Sequence, residues 1–333
     1  MNNFKKIGMT ALAASLVSTS VFAGELAVSG SASILMENYS GTAKSTTKSF
    51  SMGNQITFSG SGELDNGMNV SLSFVIDEFD NAAAESVANS GSVFDAHSVT
   101  VSSDALGTLK FSGEGGDSAQ NAVGDTAAGN IWDNFDTRVT SAAKLSESGA
   151  TTNMFHYTLP TLVDGVALSA SYVPAGSTDT ADTAYAIVYT GIDGLTASYG
   201  HGTSDQDAAG TVDTAAADAD TTSLKLSYVY GSVTLAYSDH EHDSATDTSD
   251  QDAKAMKISY AVSDDVSVTY ATEEIDSKAS TTNVDAEYTK ITTSYTSGGM
   301  TISANYQEAE NMAFSTAVSE DEEYYGLSLS FAF

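Results

Sequence analysis

The side chains best suited to chemistry are few and scattered along this sequence. His97, His156, His201, His240 and His242 are its only histidines, and none stands with a serine and an acid in a recognisable hydrolytic motif, although such triads are assembled in space rather than along the chain. A glycine-rich phosphate loop and a zinc signature are both missing from the sequence. The densest group is DHEHD, Asp239 to Asp243. On an extended segment its alternation puts Asp239, Glu241 and Asp243 on one face and both histidines on the other. Three carboxylates in that arrangement could hold a divalent cation, with oxygen ligands favouring Ca²⁺ or Mg²⁺. The same stretch also reads as one solvated acidic loop among several. No enzyme is expected, and no cofactor beyond Ca²⁺ at the acidic loops.

Charge and composition narrow the class further. The 333 residues carry 44 acidic and 12 basic side chains, a formal charge of −32, which makes nucleic acid an unsuitable partner. Residues 1 to 23 read as a secretory signal: Lys5 and Lys6, an apolar stretch from Ile7 to Phe22, then VFA before Gly24. Cleavage after Ala23 removes both lysines and takes the charge from −32 to −34. The remaining chain, 24 to 333, reads as a single domain. It holds no cysteine, so an exported protein of this kind rests on sheet hydrogen bonds and packing.

The elements that position these residues follow from a two-residue period. Leu26, Val28, Ala32 and Ile34 alternate with small or polar residues, and so do Val70, Leu72, Phe74 and Ile76, or Leu224, Leu226, Tyr228 and Tyr230. The pattern predicts sixteen strands, the last being YYGLSLSFAF, which ends on Phe333. Short turns bearing Gly, Asn or Asp, such as Asp65-Asn66-Gly67, follow the even strands. Longer acidic stretches, such as 203 to 221 and 238 to 252, are expected as loops after the odd ones. Tyr189, Tyr230, Tyr260 and Tyr295 precede short turns, and Tyr172, Tyr199, Tyr237, Tyr270 and Tyr306 are expected just before long loops. The opposite face is built from residues such as Ser71, Ser73, Ser227, Thr234, Ser267 and Ser328, too small and polar for a packed core. An all-β fold follows, a transmembrane antiparallel barrel with an apolar exterior, two aromatic bands and a wet lumen. Its short turns lie on the periplasmic side and its long loops on the extracellular side.

Specific segments add a resemblance. NQITFSGSGELDNGMNVSLSF (54 to 74), SSDALGTLKFS (102 to 112) and NMFHYTLPTLVDGVALSASY (153 to 172) resemble hairpins of the Gram-negative general porins, as does the terminal Phe333. The low basic content and serine-rich strands lean toward alphaproteobacterial members. The resemblance implies an outer-membrane homotrimer of sixteen-stranded barrels, each narrowed by its third loop, in contact with lipid and lipopolysaccharide. It also implies that Phe333 is read by the outer-membrane assembly machinery.

The third long connection, Gly113 to Thr152, is the longest and contains the only tryptophan; its length calls for a function. Folded inward it would be anchored by Trp132 and Phe135. It offers Glu114, Asp117, Asp125, Asp133 and Asp136 as the acidic side of a constriction. The porin pattern often places cations on strand two, where Gln55 and Ser59 stand instead. Inward parity leaves Lys110, Lys225, Lys257 and Lys290 as wall cations, expected to be spread around the barrel, with Arg138 on the loop itself. The expected function is passive diffusion of small hydrophilic solutes through a cation-selective pore, since acidic walls concentrate cations within a Debye length. A substrate-specific channel and a plugged structural or adhesin barrel are the alternatives.

Overall fold

Alternation of apolar and small polar residues makes each strand two-faced, and in hydrocarbon such a sheet satisfies its edges only by closing. A computed structural model describes residues 25–41, 47–77, 95–135, 152–175, 181–204, 219–244, 250–278, 284–314, 316 and 321–333. The expected signal, residues 1 to 23, lies outside them. The chain forms a closed, all-antiparallel, sixteen-stranded barrel in which each strand pairs with its sequence neighbours and the last with the first. The strands are β1 Glu25–Gly41, β2 Thr47–Glu63, β3 Asn69–Asp77, β4 Ala96–Ser103, β5 Gly107–Glu114, β6 Met154–Thr158, β7 Val166–Val173 and β8 Asp182–Tyr189. There follow β9 Leu195–Ser204, β10 Ala219–Tyr230, β11 Val233–Asp243, β12 Gln251–Ala261, β13 Val266–Ser277, β14 Ala286–Ser297, β15 Met300–Glu310 and β16 Glu322–Ala332. Each contains one of the sixteen alternating segments read from the sequence.

The tight ends depend on backbone conformations that side chains rarely adopt. Gly67 and Gly107 both have φ of 78°, as hairpin turns with a left-handed residue require. At Gly107 an added Cβ would also fall against the carbonyl oxygen of Thr158 on the neighbouring hairpin.

At the opposite end the strands run further than their hydrophobic pattern. β11 and β12 extend to Asp243 and from Gln251, and β9 and β10 to Ser204 and from Ala219. Of the acidic sequence expected as loop, residues 203–204, 219–221, 238–243 and 251–252 are therefore strand. Of the upper tyrosines Tyr172 stands just before its loop, β7 ending at Val173, but others do not: β11 continues from Tyr237 to Asp243, and β13 from Tyr270 to Ser277. Polar composition masked strand there because the wall leaves the apolar layer while its backbone ladder continues.

At the seam β16 pairs with β1 from Ser31↔Ala332 to Gly41↔Glu322, and the first residues, Glu25 to Ser29, pair with β2. Gly30 and Phe333 exchange two backbone hydrogen bonds, of 2.8 and 2.9 Å.

Large apolar side chains such as Leu226, Ile258, Tyr270 and Leu327 cover the outside and are exposed. The buried cluster lies inside the barrel. It joins Ala127, Ala128, Ile131 and Phe135 of the third connection to Ala236, Ala253, Ala255, Ala271, Ile275 and Tyr288 of the wall.

Candidate functional site

The third connection is described from Gly115 to Phe135, with two short 3-10 turns at Asn121–Val123 and Ile131–Phe135. Its hydrogen bonds are made to inward-facing residues of successive strands, so it runs along the inner wall. The Ala119 N–H donates to Ser171 Oγ on β7 at 2.9 Å. Gln120 Nε2 donates to Ser223 Oγ on β10 at 2.7 Å, and the Ala127 N–H donates to Ser238 Oγ on β11 at 2.8 Å. Asn134 Nδ2 donates to Gln307 Oε1 on β15 at 2.9 Å, and the Tyr39 hydroxyl on β1 donates to the Asn134 carbonyl at 3.1 Å. Close approach at β9 requires Gly200, where an added Cβ would lie 2.7 Å from Val123 Cγ2 and 3.0 Å from Gln120 Cα.

Glu273 on β13 is the centre of this attachment. Only 2% exposed, its carboxylate accepts the Thr126 hydroxyl at 2.6 Å, the Ile131 N–H at 3.3 Å and the Trp132 N–H at 3.2 Å. A carboxylate that accepts several N–H and O–H donors can stay buried at far lower cost than a bare one. Beside it Ile131 and Phe135 are fully buried, and Trp132 packs partly buried against the same cluster.

Above the β10 attachment, Ser223 Oγ also lies 2.8 Å from His240 Nδ1. His240 and His242 thus turn inward and are buried, while Asp239, Glu241 and Asp243 occupy the outer face of β11. The expectation of a solvated DHEHD loop fails here: the segment is strand, held by register to β10 and β12. Among the described residues no group of three or more His, Asp or Glu is placed to hold a metal ion. On the outside, like charges stand directly opposite each other: Glu241 faces Asp252, which faces Asp276, and Glu274 faces Glu287, which faces Glu310.

The connection's acidic residues divide. Asp117, Asp125 and Asp133 are exposed along it. Asp125 Oδ1 accepts Asn130 Nδ2 at 3.1 Å, and Asp117 Oδ1 accepts Asn121 Nδ2 at 3.3 Å. Glu114 belongs to β5 and pairs with His97 across a register shift. Asp136 and Arg138 lie outside the described residues.

The wall lysines are not spread as expected. Lys225, Lys257 and Lys290 occupy β10, β12 and β14 in one sector, because Lys257 and Lys290 flank Ala271 in direct register and Lys225 is one row away, opposite Ser238. Sequence order hides this, since residues some thirty positions apart return to the same sector through consecutive hairpins. Only Lys110 stands apart, on β5 beside His156, whose Nδ1 lies 3.0 Å from the Asp117 carbonyl. Inward positions of strand two hold Gln55 and Ser59, paired to Asp77 and Ser73.

Sequence reasoning missed Glu273, Gln120, Ser223, His240 and Gln307. A signal existed: Glu273, Ile275, Ala253 and Ala255 have inward parity, yet an acid set among apolar residues does not belong on an open, water-lined wall.

A lipid-facing exterior, a closed sixteen-stranded wall and a long connection laid along the inside define a transmembrane channel of the outer-membrane barrel class. The model of the Gram-negative porin family matches residues 8–333, and the chain belongs to that family. Porins are channel proteins of the outer membrane and not enzymes. No curated protein matches the chain significantly. Among solved structures it is similar to the anion-selective porin from Comamonas acidovorans, with a TM-score of 0.71 at 16% identity over 93% of this chain and 100% of that one. It is also similar to a mutant of the Rh. blastica porin, with a TM-score of 0.62 at 16% identity over 92% and 100%. Salmonella typhi OmpF in complex with daunomycin gives 0.63 at 13% identity over 93% and 98%.

Proposed function

We propose that the barrel is a water-filled pore for passive diffusion of small hydrophilic solutes, that residues 113 to 152 form its constriction, and that it prefers cations. One observation carries the preference. Asp117, Asp125 and Asp133 are exposed along the connection, whereas the wall across from β10 to β14 offers mainly hydroxyls and amides such as Gln55, Ser59, Ser73 and Thr100. Fixed negative charge at the narrowest section raises local cation concentration within about 8 Å at physiological salt. The Comamonas porin is anion-selective by its description; the opposite preference is proposed for this chain because Asp117, Asp125 and Asp133 are all exposed along the connection. Reversal potentials in a potassium chloride gradient test this. A potassium-selective sign is expected, and a chloride-selective sign refutes it. A barrel that passes no current would favour the plugged alternative.

The chain is further proposed to work as a homotrimer. Tyr39, the only tyrosine before Tyr157, is turned inward toward Asn134. The outer tyrosine bands therefore leave β1 to β5 bare, where Ile56, Leu72 and Val99 are exposed. A sector without interfacial tyrosines suits contact with a second copy rather than lipid headgroups. Native gel mobility before and after heating should show a heat-labile trimer. Export through cleavage after Ala23 is part of the same reading, and the purified chain should begin at Gly24.

A further inference from the structure

The lysine sector has a ligand chemistry of its own. The wall row holding Ser238, Ala255 and Glu273 carries the connection, and Lys225 belongs to that row, its Nζ donating to the Asp125 carbonyl at 2.9 Å. One inward step toward the short turns lies the row Ala236, Lys257, Ala271 and Lys290. Lys257 and Lys290 thus stand in one row, separated only by an alanine, and the next member, Gln307, is bonded to Asn134 of the connection.

No carboxylate forms an ion pair with Lys257 or Lys290 among the described residues. The nearest acids are otherwise engaged: Glu273 accepts three donors from the connection, and Asp125 accepts from Asn130. The alanines at 236 and 271 leave room between the ammonium groups. In the next row toward the short turns, Ser259 Oγ and Thr269 Oγ1 lie 2.8 Å apart, with Thr234 and Thr292 in register beside them. Adjacent ammonium groups repel one another, and a multivalent oxyanion relieves that repulsion while accepting from several donors at once.

We propose that Lys257 and Lys290, supported by Lys225, form an oxyanion-binding shelf on the short-turn side of the constriction, suited to phosphate and phosphate monoesters. The inference rests on the open lumen proposed above. An anion entering from that side is held before it meets Asp117, Asp125 and Asp133, so the pore joins a cation-preferring constriction to an anion-holding vestibule.

Single-channel current in planar bilayers tests the shelf, with inorganic phosphate replacing chloride at constant ionic strength. Phosphate is expected to lower the conductance, at lower concentration from the short-turn side than from the loop side. The variant Lys257→Gln/Lys290→Gln should weaken that response roughly tenfold, the loss expected from one or two charge-assisted hydrogen bonds. Lys254→Gln removes one positive charge from the outer face of β12, as each single lumen variant does from the inner face, and should respond as the parent does. Heat-dependent gel mobility establishes that each variant has folded, and the single variants Lys257→Gln and Lys290→Gln serve if the double one has not. A conducting parent that ignores phosphate, or a double variant that still responds fully, overturns the shelf. An equal response in Lys254→Gln and the double variant reduces it to overall charge and overturns it too. A parent that passes no current refutes the pore itself.

Discussion

The hydroxyl of Thr126 donates to the carboxylate of Glu273 at 2.6 Å, joining residues 147 positions apart across the lumen wall. Thr126 also accepts the Asn130 N–H at 2.9 Å, while Asn130 Oδ1 accepts the Thr126 N–H at 2.9 Å. The connection is therefore folded upon itself at the point where it is tied to β13, and the tie and the fold share one oxygen atom. With Ile131 and Phe135 inserted among wall alanines, the segment is fixed by a buried charge and a small apolar core together.

Glu273→Gln keeps the shape but presents an amide NH2 group to donors that need an acceptor. Leaving such buried groups unsatisfied costs about 1–3 kcal/mol. The barrel should still form, because its ladder does not involve this side chain. Current fluctuations should increase and mean conductance should rise as residues 126 to 132 leave the wall. Unchanged single-channel noise would show that Glu273 does not hold the segment.

At the seam, an added Cβ on Gly30 would lie 2.7 Å from the Phe333 ring and 2.9 Å from the Gln55 carbonyl oxygen. The ring can swing away, but the backbone oxygen of β2 cannot without disturbing the register. Gly30→Ala should therefore destabilise the barrel by about 1–3 kcal/mol, the usual cost of overpacking. The check is the urea midpoint for loss of the folded band. Deletion of Phe333 removes both hydrogen bonds to Gly30 and should slow insertion into vesicles while leaving the conductance of inserted barrels intact.

The wall was legible in the sequence because lipid enforces it: each apolar residue of the two-residue pattern is required outside, and the tight turns carry Gly, Asn or Asp. Beyond the tyrosine bands that pressure ends, so Asp239 to Asp243 carries no apolar period although its backbone continues the ladder. The inner attachment was hidden for another reason. Glu273, Ser223 and Gln120 meet through the folding of a connection onto distant strands, and hydrogen bonding across more than 100 residues leaves no local spacing. The grouping of Lys225, Lys257 and Lys290 was readable in principle, since strand order and parity determine it, but it required a register that hairpin lengths alone do not supply.

The outer acidic rows carry a measurable electrostatic cost. Asp252 lies between Glu241 on β11 and Asp276 on β13, and like charges directly opposite destabilise a sheet by roughly 0.2–1 kcal/mol per pair at low salt. Asp252→Asn should raise the melting temperature at low ionic strength. The gain should shrink as added salt screens the row. A variant no more stable than the parent at low salt would show that these rows are already neutralised.

Selectivity offers the sharpest division between the connection and the wall. Each of Asp117, Asp125 and Asp133 acts on a passing ion through water, where a unit charge at 8 Å contributes roughly 0.5 kcal/mol before screening. Removing one should change the ratio of potassium to chloride permeability by a factor of roughly two, at that energy. Asp117→Asn/Asp125→Asn/Asp133→Asn should abolish or reverse the preference, because the wall lysines would then be the dominant fixed charges near the constriction. Lys257→Gln/Lys290→Gln should move it the other way. If both sets of variants shift the reversal potential in the same direction, the exposed carboxylates do not control entry, and selectivity must be sought at the outer mouth.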